Sequence, residues 1–343
     1  MRLTHAIILF LAGFLADAAP AKADDLPDET YQLGRGYAVG ETGWRIGGYA
    51  STEIEMPRRL PWNFSVSDLS LFLSWENGSR LRFFSELEAG DLFTAGEHQW
   101  PTTQDAHFEF ERFYLDGLIN NNLSVRLGKF LTPVGQWNLI HAAPLVWTTF
   151  RPVATENLFS THASGVMLHG SIAINEQPLE YALYGDLSSD LDPHLSDNPF
   201  NNAVGARLRY SVNDTLQIGF SFANFVLKDL PAGRDSLVGL DVAWNYQKLE
   251  INSEVAYRNS ENAQPTNNWQ GYMQGVGHIS QRWALIGRYE FFEQPNEPMG
   301  QLGLVGVAYR PLPPVVWKLE YRVGAHNENL APDGLAASFA VLF

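Results

Sequence analysis

Charged side chains recur at every second position in several apolar stretches of the sequence. Between residues 80 and 90, for example, Arg80, Arg82, Glu86 and Glu88 alternate with leucine, phenylalanine and alanine. Alternate residues of a β-strand point to the same face of the sheet, so this spacing places the charges on one face. Strands that turn such faces toward a common interior would line it with fixed charges, which act on dissolved ions.

The candidate functional residues are the charged positions on the polar faces of the predicted strands and in one long loop. The predicted pore-lining or constriction residues are Arg45, Arg80, Arg82, Glu86, Glu88, Glu109, Arg126, Arg151, Glu156, Arg207 and Arg209. Because strands of a meander lie side by side, Arg45, Arg80, Arg82 and Arg126 are expected to form a basic patch on one wall. The alternative is that these charges are solvated or form ion pairs and play no part in selectivity.

Period-2 alternation over runs of about ten residues predicts a series of strands with one apolar and one polar face. The predicted strands span residues 44–56, 66–76, 80–90, 107–116, 123–131, 164–174, 179–186, 203–212, 215–226, 236–246, 249–258, 268–279, 282–292, 301–310, 315–325 and 335–343. The alternation changes face near Glu111 and Arg112, which predicts a β-bulge there.

The connections between these strands alternate in length. Short turns, such as the Asn-Gly turn at residues 77–79, follow every second strand, and longer loops follow the others. A β-barrel that spans a membrane has this alternation of short turns and long loops. Its sheet must also close on itself, because lipid offers no hydrogen bonds to the edge of an open sheet. The sequence therefore predicts an all-β fold, a transmembrane antiparallel β-barrel of about sixteen strands with short periplasmic turns.

The long loop (residues 132–163) interrupts the alternation and is the third of the longer connections. It carries apolar side chains such as Trp137, Trp147 and Phe150, whose exposure to water would be unfavourable. We expect the long loop to fold into the lumen, where these side chains can pack. Two alternatives stay open at this point, a cap on the outside of the barrel and a contact between subunits.

The composition excludes several classes of protein. The chain has 343 residues, a formal charge of −15 and no cysteine. The negative charge argues against nucleic acid as a partner, and the missing cysteines exclude disulfides, thiolate metal sites and covalently attached haem. Neither a cofactor nor a metal ion is expected.

The N-terminus has the features of an export signal. A positive start, the apolar run AIILFLAGFLA and a small-x-small site ending at Ala23 predict a signal peptide over residues 1–23 that is cleaved after about Ala23. Residues 24–43 are polar and Gly-rich and are predicted to form a periplasmic tail, and the barrel is predicted to occupy residues 44–343.

The last strand carries a resemblance to a known class of proteins. Leu335, Phe339, Val341 and the terminal Phe343 share one face, which resembles the C-terminal signal that the barrel-assembly machinery reads in bacterial outer-membrane proteins. The mature chain as a whole resembles a bacterial porin, and residues 126–137 (RLGKFLTPVGQW) are similar to a strand of the phosphate-selective porin-like group. The resemblance implies the outer membrane of a Gram-negative bacterium, contact with its lipid, a homotrimer, and a third loop that constricts the lumen.

The sequence departs from the general porins in the charge of that loop. The long loop has one carboxylate, Glu156, beside Arg151, His141 and His162. The acidic side of a transverse field would then come from other residues, for which the candidates are Glu86, Glu88, Glu109, Glu111, Asp91, Glu97 and Asp105. Basic and acidic residues are interleaved on the predicted strands at 282–292 and 315–325, a pattern that does not support a dedicated phosphate channel.

Three functions are compatible with such a barrel. A passive diffusion channel for small hydrophilic solutes or ions agrees best with a polar lumen. A structural or partner-binding barrel, such as an exporter subunit or a sheath for an electron-transfer protein, is the alternative. An enzyme is not expected, because it needs a nucleophile with a positioned histidine. No recognisable catalytic motif contains His107, His141, His162, His169 or His278.

Overall fold

The computed structural model describes residues 31–140, 142–156, 158–187, 199–228, 233–261, 268–294 and 296–343. The predicted signal peptide lies outside these ranges. The strands are β1 (Tyr31–Gln32), β2 (Gly36–Ala38), β3 (Trp44–Pro57), β4 (Asn63–Glu76), β5 (Leu81–Gly96), β6 (Gln99–Thr102), β7 (His107–Asn120), β8 (Leu123–Leu131), β9 (His162–Ile174), β10 (Gln177–Asp186), β11 (Phe200–Ser211), β12 (Leu216–Leu227), β13 (Asp235–Tyr246), β14 (Leu249–Ser260), β15 (Asn268–His278), β16 (Trp283–Phe292), β17 (Gly300–Tyr309), β18 (Val315–Ala325) and β19 (Gly334–Leu342).

Sixteen of these strands form the wall of a closed antiparallel barrel. Each wall strand from β3 to β19, with β6 left out, pairs with the next wall strand along the chain. The barrel closes where β19 pairs with β3, in a register that runs from Gly334 opposite Pro57 to Leu342 opposite Tyr49. The predicted barrel and its number of wall strands are therefore confirmed. In the described part of the chain, no helix has the length and apolar character needed to cross a membrane.

Apolar side chains on the wall strands point outward, as their alternation predicts. Leu71 on β4 and Val305 on β17 are examples, and they are 46% and 65% exposed on the isolated barrel. A surface of this kind is compatible with lipid and would be unusual in water.

Short and long connections occupy opposite ends of the barrel, as predicted. Residues 175–176 link β9 to β10 as a two-residue turn in which Asn175 and Glu176 both have positive φ, which suits the twist of a hairpin. Gly78, with φ of +76°, serves the turn between β4 and β5 in the same way. The longer connections lie at the other end, where β5 also extends past the wall and pairs with β6.

The predicted β-bulge lies at Glu111. The register between β5 and β7 shifts there, because Glu86 pairs with Arg112 while Leu87 pairs with Phe110. The extra residue lets Glu111 turn toward the interior, where it is buried and its Oε1 lies 2.8 Å from Nε2 of His162. The bulge thus adds one acidic side chain to the inner face of β7.

The segment before the barrel contains two short strands, β1 and β2, that the alternation does not predict. β2 pairs with the start of β3, opposite Arg45 and Ile46. The chain end lies next to it, since the backbones of Phe343 and Gly48 exchange two hydrogen bonds of 2.9 Å. Both ends of the described chain thus meet at the same place on β3.

The interior contains apolar side chains as well as charged ones. One cluster joins Leu158 of the long loop to Phe225 and Leu237 on β12 and β13, all of them buried. The alternation in the sequence predicts a polar inner face. The inner face is apolar where the long loop covers it, because those wall residues contact protein instead of water.

Candidate functional site: the barrel interior and its long loop

The long loop begins and ends at adjacent points of the wall. The Thr132 N–H donates to the Thr161 carbonyl (2.8 Å), and the Thr132 hydroxyl donates to the Ser160 carbonyl (2.7 Å). The Asn138 side-chain amide donates to the carbonyls of Thr132 and Thr161. Between these ends, the described residues of the loop form three short 3-10 helices, Trp137–Leu139, Ala143–Leu145 and Val153–Thr155. Pro144 lies within one and Pro152 precedes another, which limits any longer helix.

The first part of the long loop binds to a carboxylate on the inner face of β14. Glu254 Oε1 accepts hydrogen bonds from the backbone N–H groups of Gln136 (3.1 Å) and Trp137 (2.7 Å). The Gly135 N–H donates to Ser221 Oγ on β12 (3.2 Å). Gly135 has φ of +62°, and a Cβ on it would lie 1.9 Å from Glu254 Oε2, so this close approach requires glycine.

Three further carboxylates on the inner wall accept hydrogen bonds from the rest of the loop. The bonds run from Trp147 Nε1 to Glu250 (2.9 Å), from the Phe150 N–H to Glu320 (2.6 Å) and from the Val153 N–H to Glu290 (2.8 Å). The backbone N–H groups of Phe150 and Val153 lack the partners that a regular helix or sheet would give them. An ionised acceptor makes such a bond roughly twice as strong as a neutral one.

Basic residues of the wall bind the loop carbonyls. Lys318 Nζ donates to the carbonyls of Ala143 (2.9 Å) and Thr148 (3.2 Å), and Arg310 Nη2 donates to the Pro144 carbonyl (2.9 Å). The interleaved charges near the C-terminus therefore bind a peptide segment of the same chain, the acids its N–H groups and the bases its carbonyls.

Apolar packing completes the attachment of the loop. Phe150 is buried in a cluster with Val276, Ile286 and Leu304, which point inward from β15, β16 and β17. The guanidinium of Arg322 lies over the Phe150 ring, 3.4 Å from its centroid, a cation–π contact. The long loop thus crosses the interior from β8 and β9 to β12–β19.

Two of the predicted arginines lie in one row near the short turns. Arg82 on β5 is directly opposite Asp116 on β7, which is directly opposite Arg126 on β8. Arg126 makes two hydrogen bonds of 2.8 Å to Asp116, and Arg82 Nε lies 3.1 Å from Glu76. Both arginines are therefore paired with carboxylates.

The other two arginines of the predicted basic patch lie outside this row. Arg80 is exposed in the turn between β4 and β5 and belongs to no strand. Arg45 donates from Nη2 to the Gly36 carbonyl (2.7 Å), so it holds the segment before the barrel. Of the four arginines predicted to form a basic patch on one wall, the structure thus places Arg82 and Arg126 in one row and Arg45 and Arg80 apart from it.

The predicted acidic residues Glu86 and Glu88 lie on the inner face of β5 and are buried. Glu86 pairs with Arg112 Nε at 2.5 Å. Glu88 accepts hydrogen bonds from the hydroxyls of Tyr49 (3.0 Å) and Ser70 (2.8 Å). Glu109 on β7 lies 4.0 Å from the buried Nζ of Lys129. These carboxylates bind side chains on neighbouring strands and thereby connect the strands of the wall.

The two predicted arginines on β11 differ in burial: Arg207 is buried and Arg209 is partly exposed. Arg207 is buried, with two hydrogen bonds to Asp241 (2.8 and 2.9 Å). Arg209 is more exposed, bonds to Gln217 and lies 3.5 Å from Glu180. The same strand thus carries one well-bonded interior ion pair and one solvated ion pair.

The charges of the long loop lie on the side of the interior near β16. The Arg151 carbonyl accepts a hydrogen bond from Arg288 Nη2 (3.4 Å), and Arg151 therefore does not join the row of Arg82 and Arg126. The Glu156 side chain reaches solvent, but desolvation by the protein around it raises its pKa to about 7, although the nearby Arg151 opposes the shift. His141, noted in the sequence, lies outside the described residues.

The residues that bind the long loop were missed as functional positions in the sequence. They are Glu250, Glu254, Glu290, Arg310, Lys318, Glu320 and Arg322. Their interleaved signs and the apolar character of the loop were both visible, and together they indicate a wall that binds backbone. The structure was needed to identify the bonding partner of each charge.

Comparison with known proteins supports the fold and nothing finer. No protein-family model and no curated protein sequence matches the chain. Solved structures do match. They include the anion-selective porin from Comamonas acidovorans (13% identity, TM-score 0.64, covering 88% of this chain and 99% of that one) and Salmonella typhi OmpF in complex with daunomycin (9%, 0.64, 89% and 99%).

The chain has a porin-like fold. A loop-deletion mutant of OmpT, an outer-membrane protein of Vibrio cholerae, matches similarly, with 11% identity, a TM-score of 0.64, and coverage of 88% of this chain and 99% of that one. The resemblance to sixteen-stranded porin barrels that was read from the sequence is thus confirmed for the architecture. Identities this low carry no information on solute or selectivity.

Proposed function

We propose that this porin-like barrel is a channel in the outer membrane of a Gram-negative bacterium, through which small hydrophilic solutes or ions diffuse passively. The observation that carries the proposal is the long loop, which is bound across the interior by carboxylates, bases and apolar contacts of β12–β19. A loop held in this way would narrow the lumen at a fixed place.

The outer surface supports a membrane location for the channel. Its outward apolar side chains suit lipid, and the signal peptide predicted over residues 1–23 provides the route of export. In this proposal the barrel-assembly machinery reads the terminal Phe343, which already completes the pairing next to Gly48. Assembly as a homotrimer is part of the same proposal.

Reconstitution in a planar bilayer tests the proposal. The purified mature chain should give stepwise conductance, and the reversal potential in a salt gradient should report its ion preference. A correctly folded barrel that passes no current would contradict a channel. If such a barrel also co-purified with a bound partner, the partner-binding alternative would replace it, and lipid hydrolysis abolished by changes at His162 and His169 would instead establish an enzyme.

The position of the long loop can be tested by cross-linking. Thr149 Oγ1 lies 2.7 Å from Ser338 Oγ on β19, and the chain has no cysteine of its own. In the double variant Thr149→Cys, Ser338→Cys, a disulfide should form under mild oxidation and leave the conductance unchanged, because the bond fixes a contact that already exists. The two single variants are the controls. Failure to cross-link in folded barrels would contradict a loop held at this wall.

A further inference from the structure

The outer face of the barrel changes from apolar to polar near the end that carries the longer connections. One row of outward side chains, paired directly across β12–β15, is apolar and aromatic and consists of Phe222, Val238, Tyr257 and Trp269. The ring centroids of Tyr257 and Trp269 lie 4.7 Å apart. Aromatic side chains at such a boundary are typical of the interface between the lipid tails and the headgroups.

The next row of outward side chains toward that end is mostly polar. Its members, paired directly across β11–β14, are Val204, Asn224, Ser236 and Asn259. Alternate residues of a strand share a face, so this polar row lies on the outside of the wall, as the apolar row does. In a membrane, the polar row would therefore lie at the level of the lipid headgroups.

Two amide side chains hold an arginine at the polar row. Arg234, which directly precedes β13, donates from Nη1 to Asn224 Oδ1 (2.7 Å) and from Nη2 to Asn202 Oδ1 (2.6 Å). Asn224 in turn donates from Nδ2 to Ser236 Oγ (2.9 Å). Arg234 is partly exposed, and a guanidinium has five N–H donors. The group is therefore fixed in place and keeps donors for a further partner.

The positive charge of Arg234 is not balanced by a carboxylate of a described residue. Asp235, the next residue, is buried on the inner face and pairs with Arg258 at 2.5 Å. Glu261, which follows β14, bonds to the Arg234 carbonyl through its backbone N–H (3.1 Å), and no ion pair joins the two side chains. Lys228, at the other end of the connection between β12 and β13, adds a second exposed cation.

We propose that Arg234 and Lys228 bind the phosphate group of a lipid in the outer leaflet, with its acyl chains lying against the apolar row. The planar fork of an arginine matches two oxygens of a phosphate, and a lysine adds a point charge. Ser236 and Asn259 supply uncharged polar groups in the same polar row. This inference rests on the proposed location in the outer membrane and adds a specific class of lipid to it.

A second copy of the chain is the competing occupant of this surface. A copy packed wall against wall would neutralise Arg234 only if it presented a carboxylate on its outer face. The carboxylates with strong bonds on the neighbouring wall strands, Asp235, Asp241 and Glu254, lie on the inner face. Charge complementarity therefore favours a lipid, whose phosphate brings the negative charge that the outer wall lacks here.

Native mass spectrometry of the full mature chain in detergent tests the inference. The barrel should retain phosphatidic acid, a phosphate monoester, in preference to diacylglycerol with the same acyl chains. Arg234→Gln should lower the affinity for phosphatidic acid about fivefold, which is the contribution of one basic residue near an anionic surface. Lys228→Gln, which leaves the bonds of Arg234 to the two asparagines intact, should also weaken binding.

Arg282→Gln is the matched control for the loss of one arginine. Arg282 is exposed in the short turn before β16, at the opposite end of the barrel, so its loss should leave the affinity for phosphatidic acid unchanged. The single-channel conductance should be the same in all three variants, which would also show that their barrels are folded.

Several outcomes would overturn the lipid site and leave the channel intact. They are equal retention of phosphatidic acid and diacylglycerol, and equal weakening by Arg234→Gln and Arg282→Gln. Inorganic phosphate that displaces phosphatidic acid at an equal concentration would assign the site to a free anion instead. A smaller oligomer in Arg234→Gln with unchanged lipid binding would assign the surface to a second copy of the chain. A silent barrel that still prefers phosphatidic acid would contradict the channel and support the lipid site.

Discussion

Gly135 and Glu254 approach so closely that a methyl group on Gly135 would lie 1.9 Å from the Glu254 carboxylate. This contact brings the first turn of the long loop onto the wall, where Glu254 accepts two backbone hydrogen bonds from the residues that follow. Glycine is therefore required at position 135 for the start of the long loop to lie this close to the wall.

The variant Gly135→Ala is expected to displace the start of the long loop. Its Cβ would collide with Glu254, and its positive φ is unfavourable for alanine. We predict a changed and noisier single-channel conductance with the barrel still folded. Gly275→Ala is a suitable control, because nothing lies within 4 Å of the added Cβ on β15. Identical recordings from both variants would show that the contact with Glu254 does not position the loop.

The ion pairs of Arg207 and Arg209 on β11 are expected to contribute unequally to the free energy of unfolding. Asp241→Ala would leave the Arg207 charge buried without its partner, which costs about 3–5 kcal/mol. Glu180→Ala removes the more exposed partner of Arg209 and should cost about 0–1 kcal/mol. Urea unfolding of the barrel in detergent micelles measures both. Similar losses in the two variants would mean that the Arg207 pair is as well solvated as the Arg209 pair.

Glu156 predicts a dependence of ion selectivity on pH. Desolvation raises the pKa of Glu156 to about 7, so this carboxyl is mostly neutral at pH 6 and mostly ionised at pH 8. The reversal potential in a salt gradient should therefore shift toward cation preference between pH 6 and pH 8. In Glu156→Gln the shift should be much smaller. A shift of the same size in both proteins would assign the titration to another group.

The sequence predicted the strands of the barrel wall better than the contacts inside the barrel. Each wall strand has an outward face that must be apolar, so alternation alone locates it. Even the bulge at Glu111 leaves a visible break in that alternation. Strands β1 and β2 are too short to produce any period, and β6 lies within a connection that reads as a loop.

The interior was harder to predict because its charges bind partners far away in the chain. The spacing of Lys318, Glu320 and Arg322 shows that they share a face, but it does not show that the long loop meets them more than 150 residues earlier in the chain. The alternation places Arg80 at the start of a strand, but in the structure β5 begins at Leu81 and Arg80 belongs to the turn. The alternation fixes which face a residue is on, and the tertiary contacts decide what it meets there.

The tied ends of the long loop have a consequence for engineering. Leu131 and His162 form the last pair between β8 and β9, and Thr132 bonds to Thr161 directly beyond them. The two strands therefore already have the spacing of an ordinary hairpin, and a short turn could replace residues 134–159 while the pairing of β8 with β9 is kept. Such a barrel would be a cylinder whose bore depends on strand number, tilt and stagger, a scaffold into which a different segment could be inserted.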